Sequence, residues 1–271
     1  MNLKEHFDLV IFDWAGTMVD FGCEAPVQAL LEAFAAEGVR IDEAAARRDM
    51  GKAKADHVQA ILADPLIAAA WHQRHGRAPE LKDIGVLMAR LQPLMRRQAA
   101  LAATLIPGAR QTFELLRAAG IRVASSTGYT REMLEPVLAA AAAQGYTPEH
   151  VVCSGETPMG RPTPLMIYKA CAELGIWPLS RVVKVDDAEV GIAEGKTAGA
   201  FTIGVASGNT LGLSRAALDA LPASERQSCI EGARQKLLAA GADLAIASVA
   251  DLLPALAGAA AQLKAMRVPG A

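Results

Sequence analysis

Short apolar runs alternate with amphipathic stretches along most of the chain. Leu9–Phe12 is an aliphatic and aromatic run that is typical of a buried parallel strand. Further strands are predicted at Arg122–Ser125, Val151–Cys153, Val182–Val185 and Phe201–Gly204. The stretches between them predict helices at Ala109–Ala118, Arg131–Gln144, Pro164–Glu173 and Ala188–Ala198. This alternation predicts an α/β fold with a doubly wound, Rossmann-like parallel sheet.

The long stretch between the first two predicted strands is helical throughout and contains no convincing strand pattern. Its predicted helices are Pro26–Glu37, Glu43–Leu62, Leu66–His75 and Lys82–Ala100. We therefore predict a core domain, residues 1–21 and 102–271, that is interrupted by an α-helical domain, residues 22–101. In the C-terminal part, the pattern predicts helix over most of Leu213–Ala240, a last strand at Leu244–Ala247 and a final helix from Ser248.

Composition narrows the range of partners and compartments. The 271 residues are 52% hydrophobic and carry a net charge of −2, with no long basic run, which argues against nucleic acid or an anionic membrane as a partner. The four cysteines have no C-x-x-C spacing, so zinc and redox motifs are not supported. Apolar runs are shorter than the ~20 residues of a membrane span, and no apolar signal segment is visible, so we predict a cytoplasmic protein.

Polar residues cluster where predicted strands end. Asp13 follows the first strand, and Asp186-Asp187 end the strand that begins at Val182. The carboxyl ends of parallel strands share one edge of the sheet, where ligands bind. Carboxylates gathered there would repel one another unless a cation such as Mg²⁺ intervened, because oxygen ligands of this kind suit that ion. A carboxylate at such a strand end, here Asp13, is a candidate nucleophile.

Two further segments suit an anionic ligand. Thr127 and Gly128 lie between a strand and a helix, where a hydroxyl and backbone N–H groups can hold a phosphate and glycine permits close approach. Arg161 precedes Pro162 and can bind phosphate in bidentate fashion. Taken singly, each residue has an ordinary alternative as a cap or a solvated loop side chain.

These segments, in this order, resemble the motifs of the haloacid dehalogenase (HAD) superfamily. The matching strings are Phe12-Asp13-Trp14-Ala15-Gly16-Thr17, Ser125-Ser126-Thr127-Gly128, Gly160-Arg161-Pro162 and Val185-Asp186-Asp187. The resemblance implies a HAD core with an inserted α-helical cap. It also implies that Asp13 forms an aspartyl-phosphate, that Thr127, Gly128 and Arg161 bind the phosphoryl group, and that Asp13, the Ala15 carbonyl and Asp187 bind Mg²⁺.

Two positions depart from the common HAD pattern. Many HAD sequences have an acid four residues after the position of Asp187, where this chain has Gly191. Asp186 and Glu189 are both candidates to compensate for it. Many HAD phosphatases also have a second aspartate where this chain has Ala15, and that aspartate protonates the leaving group. The chemistry of this chain must therefore release a leaving group without that acid.

The segment Met50-Gly51-Lys52-Ala53-Lys54-Ala55-Asp56-His57-Val58 resembles the cap of one HAD family, the phosphonatases (phosphonoacetaldehyde hydrolases). On one continuous helix, Met50, Lys54 and His57 would share a face, and Lys52 would point away. The resemblance implies that Lys54 forms a Schiff base and that His57 transfers protons. Lysines on surface helices are ordinarily solvated, so this role depends on the whole set of motifs.

The resemblance implies one reaction: hydrolysis of phosphonoacetaldehyde to acetaldehyde and phosphate, in the degradation of 2-aminoethylphosphonate. An iminium on Lys54 would accept the electrons of the C–P bond, which explains why no acid is needed at Ala15. The resemblance also implies a homodimer. Two alternatives stay open, a HAD phosphatase or mutase acting on phosphate esters and an inactive member that binds a partner. Structural and catalytic roles are equally open for Cys23 and Tyr129, and the role of Met50 is open.

Overall fold

Six parallel strands form one sheet at the centre of the protein, in the order β3-β2-β1-β4-β5-β6. The computed structural model describes residues 3–267, with side chains as far as residue 262. The strands are β1 (Leu9–Phe12), β2 (Arg122–Thr127), β3 (His150–Cys153), β4 (Val182–Asp186), β5 (Phe201–Val205) and β6 (Leu244–Ile246). This strand order reverses between β1 and β4, and the predicted doubly wound, Rossmann-like fold is confirmed.

Helices cover both faces of the sheet. They are α1 (Glu24–Ala36), α2 (Glu43–Arg48), α3 (Lys54–Leu62), α4 (Pro65–His75), α5 (Leu81–Leu101), α6 (Ala109–Ala118), α7 (Arg131–Ala143), α8 (Leu165–Leu174), α9 (Glu189–Ala198), α10 (Arg215–Ala220), α11 (Ala223–Ala239) and α12 (Leu252–Arg267). Side chains of a strand alternate between its two faces. Leu9 and Ile11 belong to an apolar cluster with α8, whereas Val10 and Phe12 belong to a larger one with α6 and α12. Both faces of β1 are therefore buried.

The helices α1–α5, called here the insertion helices, lie between β1 and α6 in the chain, and no strand interrupts them within residues 3–267. In α5, Leu87, Leu91 and Met95 recur every four residues and are completely buried. This spacing produces one apolar face on a helix. α5 uses it to pack against α1 and α7, so the insertion helices and the sheet domain share one apolar cluster.

The prediction of one helix over Glu43–Leu62 is wrong, because a loop separates α2 from α3. Gly51 has φ of +93°, a left-handed conformation that ends a helix and that glycine adopts without strain. A side chain at this position would also collide with Val190, since a Cβ would lie 2.6 Å from its Cγ1. Met50 consequently lies in the loop between α2 and α3, not on a helical face with Lys54 and His57.

The remaining elements follow the predictions with small extensions. β2 continues to Thr127 and β4 to Asp186, so both residues end strands. The predicted C-terminal helix is present as α10 and α11, and a short 3-10 helix from Val249 leads into α12. Within residues 3–267, no helix has the length and apolar composition needed to cross a membrane.

Candidate active site

The carboxyl ends of β1 and β4 bring three acidic side chains together. Asp13 directly follows β1, and its N–H donates to the Val185 carbonyl 3.0 Å away. Asp186 ends β4, and Asp187 follows it. Carboxylate oxygens of Asp13, Asp186 and Asp187 all lie within 4.8 Å of one another, and all three residues are buried. The predicted gathering of carboxylates at this edge is therefore present.

Asp187 is held by donors from three segments. Its Oδ1 accepts from Thr17 Oγ1 at 2.9 Å, and its Oδ2 accepts from the Asn209 N–H at 2.6 Å and from Cys23 Sγ at 3.3 Å. Cys23 Sγ also lies 3.0 Å from the Ala15 carbonyl oxygen. Sequence reasoning assigned no role to Thr17 or Asn209. The position of Asn209 in the loop after β5, at the same sheet edge, is the signal that could have found it.

Asp186 has different partners from the other two acids. Its Oδ2 lies 3.0 Å from Lys184 Nζ and 3.4 Å from Arg161 Nη2, and these cations lower the pKa of Asp186 although burial opposes them. A Cβ on Gly191 would lie 2.0 Å from the carboxylate of Asp186. The Asp186 carboxylate thus occupies the space that a side chain at position 191 would need, whereas Glu189 is exposed.

Carboxylates outnumber cations in this buried group. Asp13, Asp186, Asp187 and Glu194 face Arg161 and Lys184, and all six are at most 7% exposed. Burial and the neighbouring Asp186 charge raise the pKa of both Asp13 and Asp187. Hard oxygen ligands with unbalanced negative charge suit a divalent cation, so the residues present fit a divalent metal.

Arg161 contacts three of the four carboxylates in this group. Its Nη2 lies 2.9 Å from Asp13 Oδ1 and donates to the Ser126 carbonyl at 2.6 Å, and its Nε donates to Glu194 Oε2 at 2.9 Å. The remaining nitrogen, Nη1, is buried and has no hydrogen-bond partner among the described residues. Arg161 therefore retains one free donor for an anionic ligand, next to Asp13, although Arg161 itself is not among the residues that line the cavity described below.

The loop after β2 lies against the loop between α2 and α3. Thr127 Oγ1 accepts from the Tyr129 N–H at 3.2 Å, and α7 begins only at Arg131. A Cβ on Gly128 would lie 2.6 Å from the Lys52 carbonyl oxygen and 2.8 Å from that of Gly51. Only glycine permits this approach. Gly128 thus lets the loop between α2 and α3 pack closely against the loop after β2.

Lys54 is the first residue of α3, and only 2% of its surface is exposed. Its Nζ lies 3.7 Å from Met50 Sδ and 5.6 Å from the ring centre of Tyr129. Within residues 3–267 it forms no salt bridge, and burial lowers the pKa of Lys54 to about 8, although Cys23 and Asp13 oppose the shift. Lys52 instead pairs with Asp49 at 2.5 Å and is partly exposed.

A small cavity of about 20 Å³ lies between the insertion helices and the strand ends. Its lining residues come from both sides and include Asp13, Ala15, Cys23, Met50, Lys54, Thr127, Gly128, Tyr129 and Asp187. His57 is completely buried and does not line it. Burial and the charge of Lys54 lower the pKa of His57 to about 2, so this ring is neutral.

Comparisons with known proteins agree with this geometry. A family profile described as haloacid dehalogenase-like hydrolase matches residues 7–199. Phosphonoacetaldehyde hydrolases of Paraburkholderia phytofirmans and Paraburkholderia xenovorans are 45% and 44% identical to this chain, each over 92% of it and 94% of the relative. The crystal structure of a phosphonoacetaldehyde hydrolase-like protein from Oleispira antarctica superposes with a TM-score of 0.94 at 40% identity, covering 97% of this chain and 96% of that one.

The fold, the strand-end acids and the profile match define a class. The chain belongs to the haloacid dehalogenase-like hydrolases and is an enzyme of that class. Within the class, its identity to the relatives over nearly their whole length makes it a member of the phosphonoacetaldehyde hydrolase family.

Proposed function

We propose that this enzyme hydrolyses the C–P bond of phosphonoacetaldehyde, giving acetaldehyde and phosphate. The observation that carries the proposal is that Lys54 and Asp13 line the same small cavity, in which position 15 offers only an alanine. One residue can react with a carbonyl group and the other with phosphorus. The names of the relatives support the same substrate.

The lysine supplies the electron sink that C–P cleavage requires. A neutral Lys54 amine condenses with the aldehyde, releasing water and forming an iminium. The lowered pKa of Lys54 supports this step, because it leaves about a tenth of the amine neutral at pH 7. When the C–P bond breaks, its electron pair moves into the iminium and gives an enamine. No acid is then needed at Ala15.

Asp13 accepts the phosphoryl group. Its carboxylate attacks phosphorus in line and forms an aspartyl-phosphate, which water then hydrolyses to free phosphate. Thr127, the Gly128 N–H and the free Nη1 of Arg161 would bind the phosphoryl oxygens. The enamine gains a proton and is hydrolysed to acetaldehyde, which restores Lys54. His57 does not line the cavity and its ring is neutral, so we assign it no direct contact with the substrate, and its part in proton transfer stays a prediction.

Mg²⁺ is the proposed metal, and Asp13, the Ala15 carbonyl and Asp187 would hold it. When bound, it offsets the negative charge that Asp13 and the phosphonate bring together. Of the two candidates to compensate for Gly191, we favour Asp186, which fills the space beside it, over the exposed Glu189. Cys23 contacts two of these proposed ligands, the Ala15 carbonyl and Asp187. Met50 and Tyr129 keep the surroundings of Lys54 apolar.

Residues 22–101 would form a cap that opens to admit substrate, because a cavity of about 20 Å³ has room for little more than one water molecule. A homodimer and a cytoplasmic location belong to the same proposal and rest on the family resemblance. Size-exclusion chromatography with light scattering tests the dimer.

A product assay tests the proposed function. The enzyme with Mg²⁺ and phosphonoacetaldehyde should release acetaldehyde, measured with NADH and alcohol dehydrogenase, and an equal amount of phosphate. Phosphate esters are the control substrates, and we expect at most slight turnover because Ala15 cannot protonate an alkoxide. Preference for an ester would instead indicate a HAD phosphatase or mutase. The absence of turnover with every substrate would indicate a binding protein.

A further inference from the structure

A fully buried network of charges lies beneath the strand-end acids, and the proposed reaction does not use it directly. Lys184 in β4 donates to Ser126 Oγ at 2.9 Å, and Ser126 Oγ donates to Glu194 Oε2 at 3.1 Å. Lys184 Nζ also lies 3.4 Å from Glu194 Oε2. None of the three is exposed. Burying charges is costly even when they are paired, so stabilisation of the fold does not by itself explain this network.

The network ends on Arg161. Glu194 Oε2 accepts from Arg161 Nε at 2.9 Å, and Ser126 Oγ accepts from Nη2 at 3.1 Å. Nη2 also faces Asp13 at 2.9 Å. A guanidinium group is planar, so fixing Nε and Nη2 fixes the direction of Nη1 as well. That nitrogen is the buried donor that has no partner among the described residues.

We propose that Glu194 is a positioning residue that holds the Arg161 guanidinium so that Nη1 stays available to a phosphoryl oxygen. This inference rests on the proposed function, because it takes Arg161 as the cation that binds the phosphoryl group. Glu194 accepts from Nε of this guanidinium, whereas Asp13 and Asp186 lie near Nη2. Without the charge of Glu194, the guanidinium would lose its partner at Nε, so Nη1 should lose its fixed direction and bind a phosphoryl oxygen more weakly.

Inorganic phosphate is the probe, because its binding can be measured without turnover. By calorimetry with Mg²⁺ present, Glu194→Gln should bind phosphate about ten-fold or more weakly than wild type, since a buried charged hydrogen bond is lost. Glu173→Gln is the matched control, because this residue is exposed on α8. A purely structural role would lower the unfolding temperature but leave the phosphate affinity of the folded protein unchanged.

A double-mutant cycle tests whether Glu194 acts through Arg161. In an Arg161→Lys background, which removes the guanidinium, Glu194→Gln should weaken phosphate binding no further. Additive losses, or wild-type affinity in Glu194→Gln, would overturn the proposal. Should Glu194→Gln fail to fold, Ser126→Ala removes a smaller contact of the same guanidinium. It should weaken phosphate binding less, and again only when Arg161 is present; unchanged affinity would count against the proposal.

This outcome is independent of the identity of the substrate. An enzyme that binds phosphate with the expected dependence on Glu194 but releases no acetaldehyde would retain the positioning role and lose the proposed function. Acetaldehyde release by wild type, together with unchanged phosphate affinity in Glu194→Gln, would retain the proposed function and exclude the positioning role.

Discussion

The buried cations near the strand ends (the sheet side) and on the insertion helices (the insertion side) have different surroundings. On the sheet side, Arg161 and Lys184 each contact carboxylates within 3.4 Å. On the insertion side, Lys54 is just as buried but has a thioether and an aromatic ring as its neighbours. Ion pairs favour the charged form of a cation, and burial without a charged partner lowers its pKa. The comparison shows that the cations beside the strand-end acids are held charged, whereas the pKa of Lys54 is lowered enough for part of its amine to be neutral near pH 7.

The two sides also differ in how they are assembled. The acids of the sheet side follow from strand ends that are paired in register, β1 beside β4. Lys54 reaches the cavity only because the loop between α2 and α3 packs on Gly128. The sheet side is therefore set by strand pairing, and the position of the lysine by how the loop between α2 and α3 packs on Gly128.

The largest expected effect comes from removing the proposed nucleophile, which should stop phosphate release but leave adduct formation at Lys54 intact. Asp13→Asn should lower phosphate release by at least about 10⁴-fold, because the amide cannot attack phosphorus. Lys54 is untouched, so substrate and borohydride should still trap an adduct on the protein. Phosphate and acetaldehyde assays with trapping on the same sample check both statements. Turnover near that of wild type would exclude covalent catalysis by Asp13.

The metal should be needed for phosphate release but not for adduct formation at Lys54. Asp187→Asn should weaken Mg²⁺ binding about 10- to 100-fold, and excess chelator should stop phosphate release from wild type. Trapping at Lys54 should persist in chelator, since no metal ligand comes from the insertion helices. Calorimetry with Mg²⁺ measures the affinity. Full phosphate release in chelator would contradict the proposed metal site.

The smallest expected effect concerns stability. Burial puts the pKa of folded Lys54, about 8, below its ordinary value of 10.5, so the folded state loses stability as pH falls from 10.5 to 8 and keeps that cost below 8. Lys54→Met should therefore raise the free energy of unfolding by about 1 to 3 kcal/mol at pH 7 and by less near pH 10.

Thermal unfolding of this variant at several pH values checks the prediction. Lys52→Met is the control, because Lys52 is partly exposed and paired with Asp49, and we expect little change. Equal stabilisation by both variants, or a gain that grows with pH, would show that burial does not penalise the charge of Lys54.

The sheet side could be predicted well from the sequence. Strand ends were visible as apolar runs followed by Asp13 and Asp186-Asp187, and parallel strands bring such ends to one edge. The break at Gly51 could not be predicted, because helix-forming residues stand on both sides of it. The close approach of Gly51 to Val190, which leaves no room for a side chain at position 51, joins segments that are far apart in the chain.

The contacts among Glu194, Ser126 and Lys184 could not be predicted from the local sequence pattern either. Glu194 lies on a helix of ordinary composition, and its partner Ser126 is 68 residues away. Lys184 interrupts an apolar strand without a visible reason until Ser126 and Glu194 are placed beside it. Buried ion networks depend on contacts between distant segments, so one sequence does not reveal them.

Borohydride trapping tests the central claim, that Lys54 forms a Schiff base, most directly. Wild type treated with phosphonoacetaldehyde and borohydride should lose activity, and peptide mapping should place the adduct on Lys54. The rate of trapping should rise from about pH 7 to 9, because the pKa of Lys54 is about 8 and only the neutral amine reacts. Lys54→Arg should give no adduct and almost no acetaldehyde, and Lys52→Arg should behave like wild type. An adduct on Lys52, or near-normal acetaldehyde release by Lys54→Arg, would contradict the account.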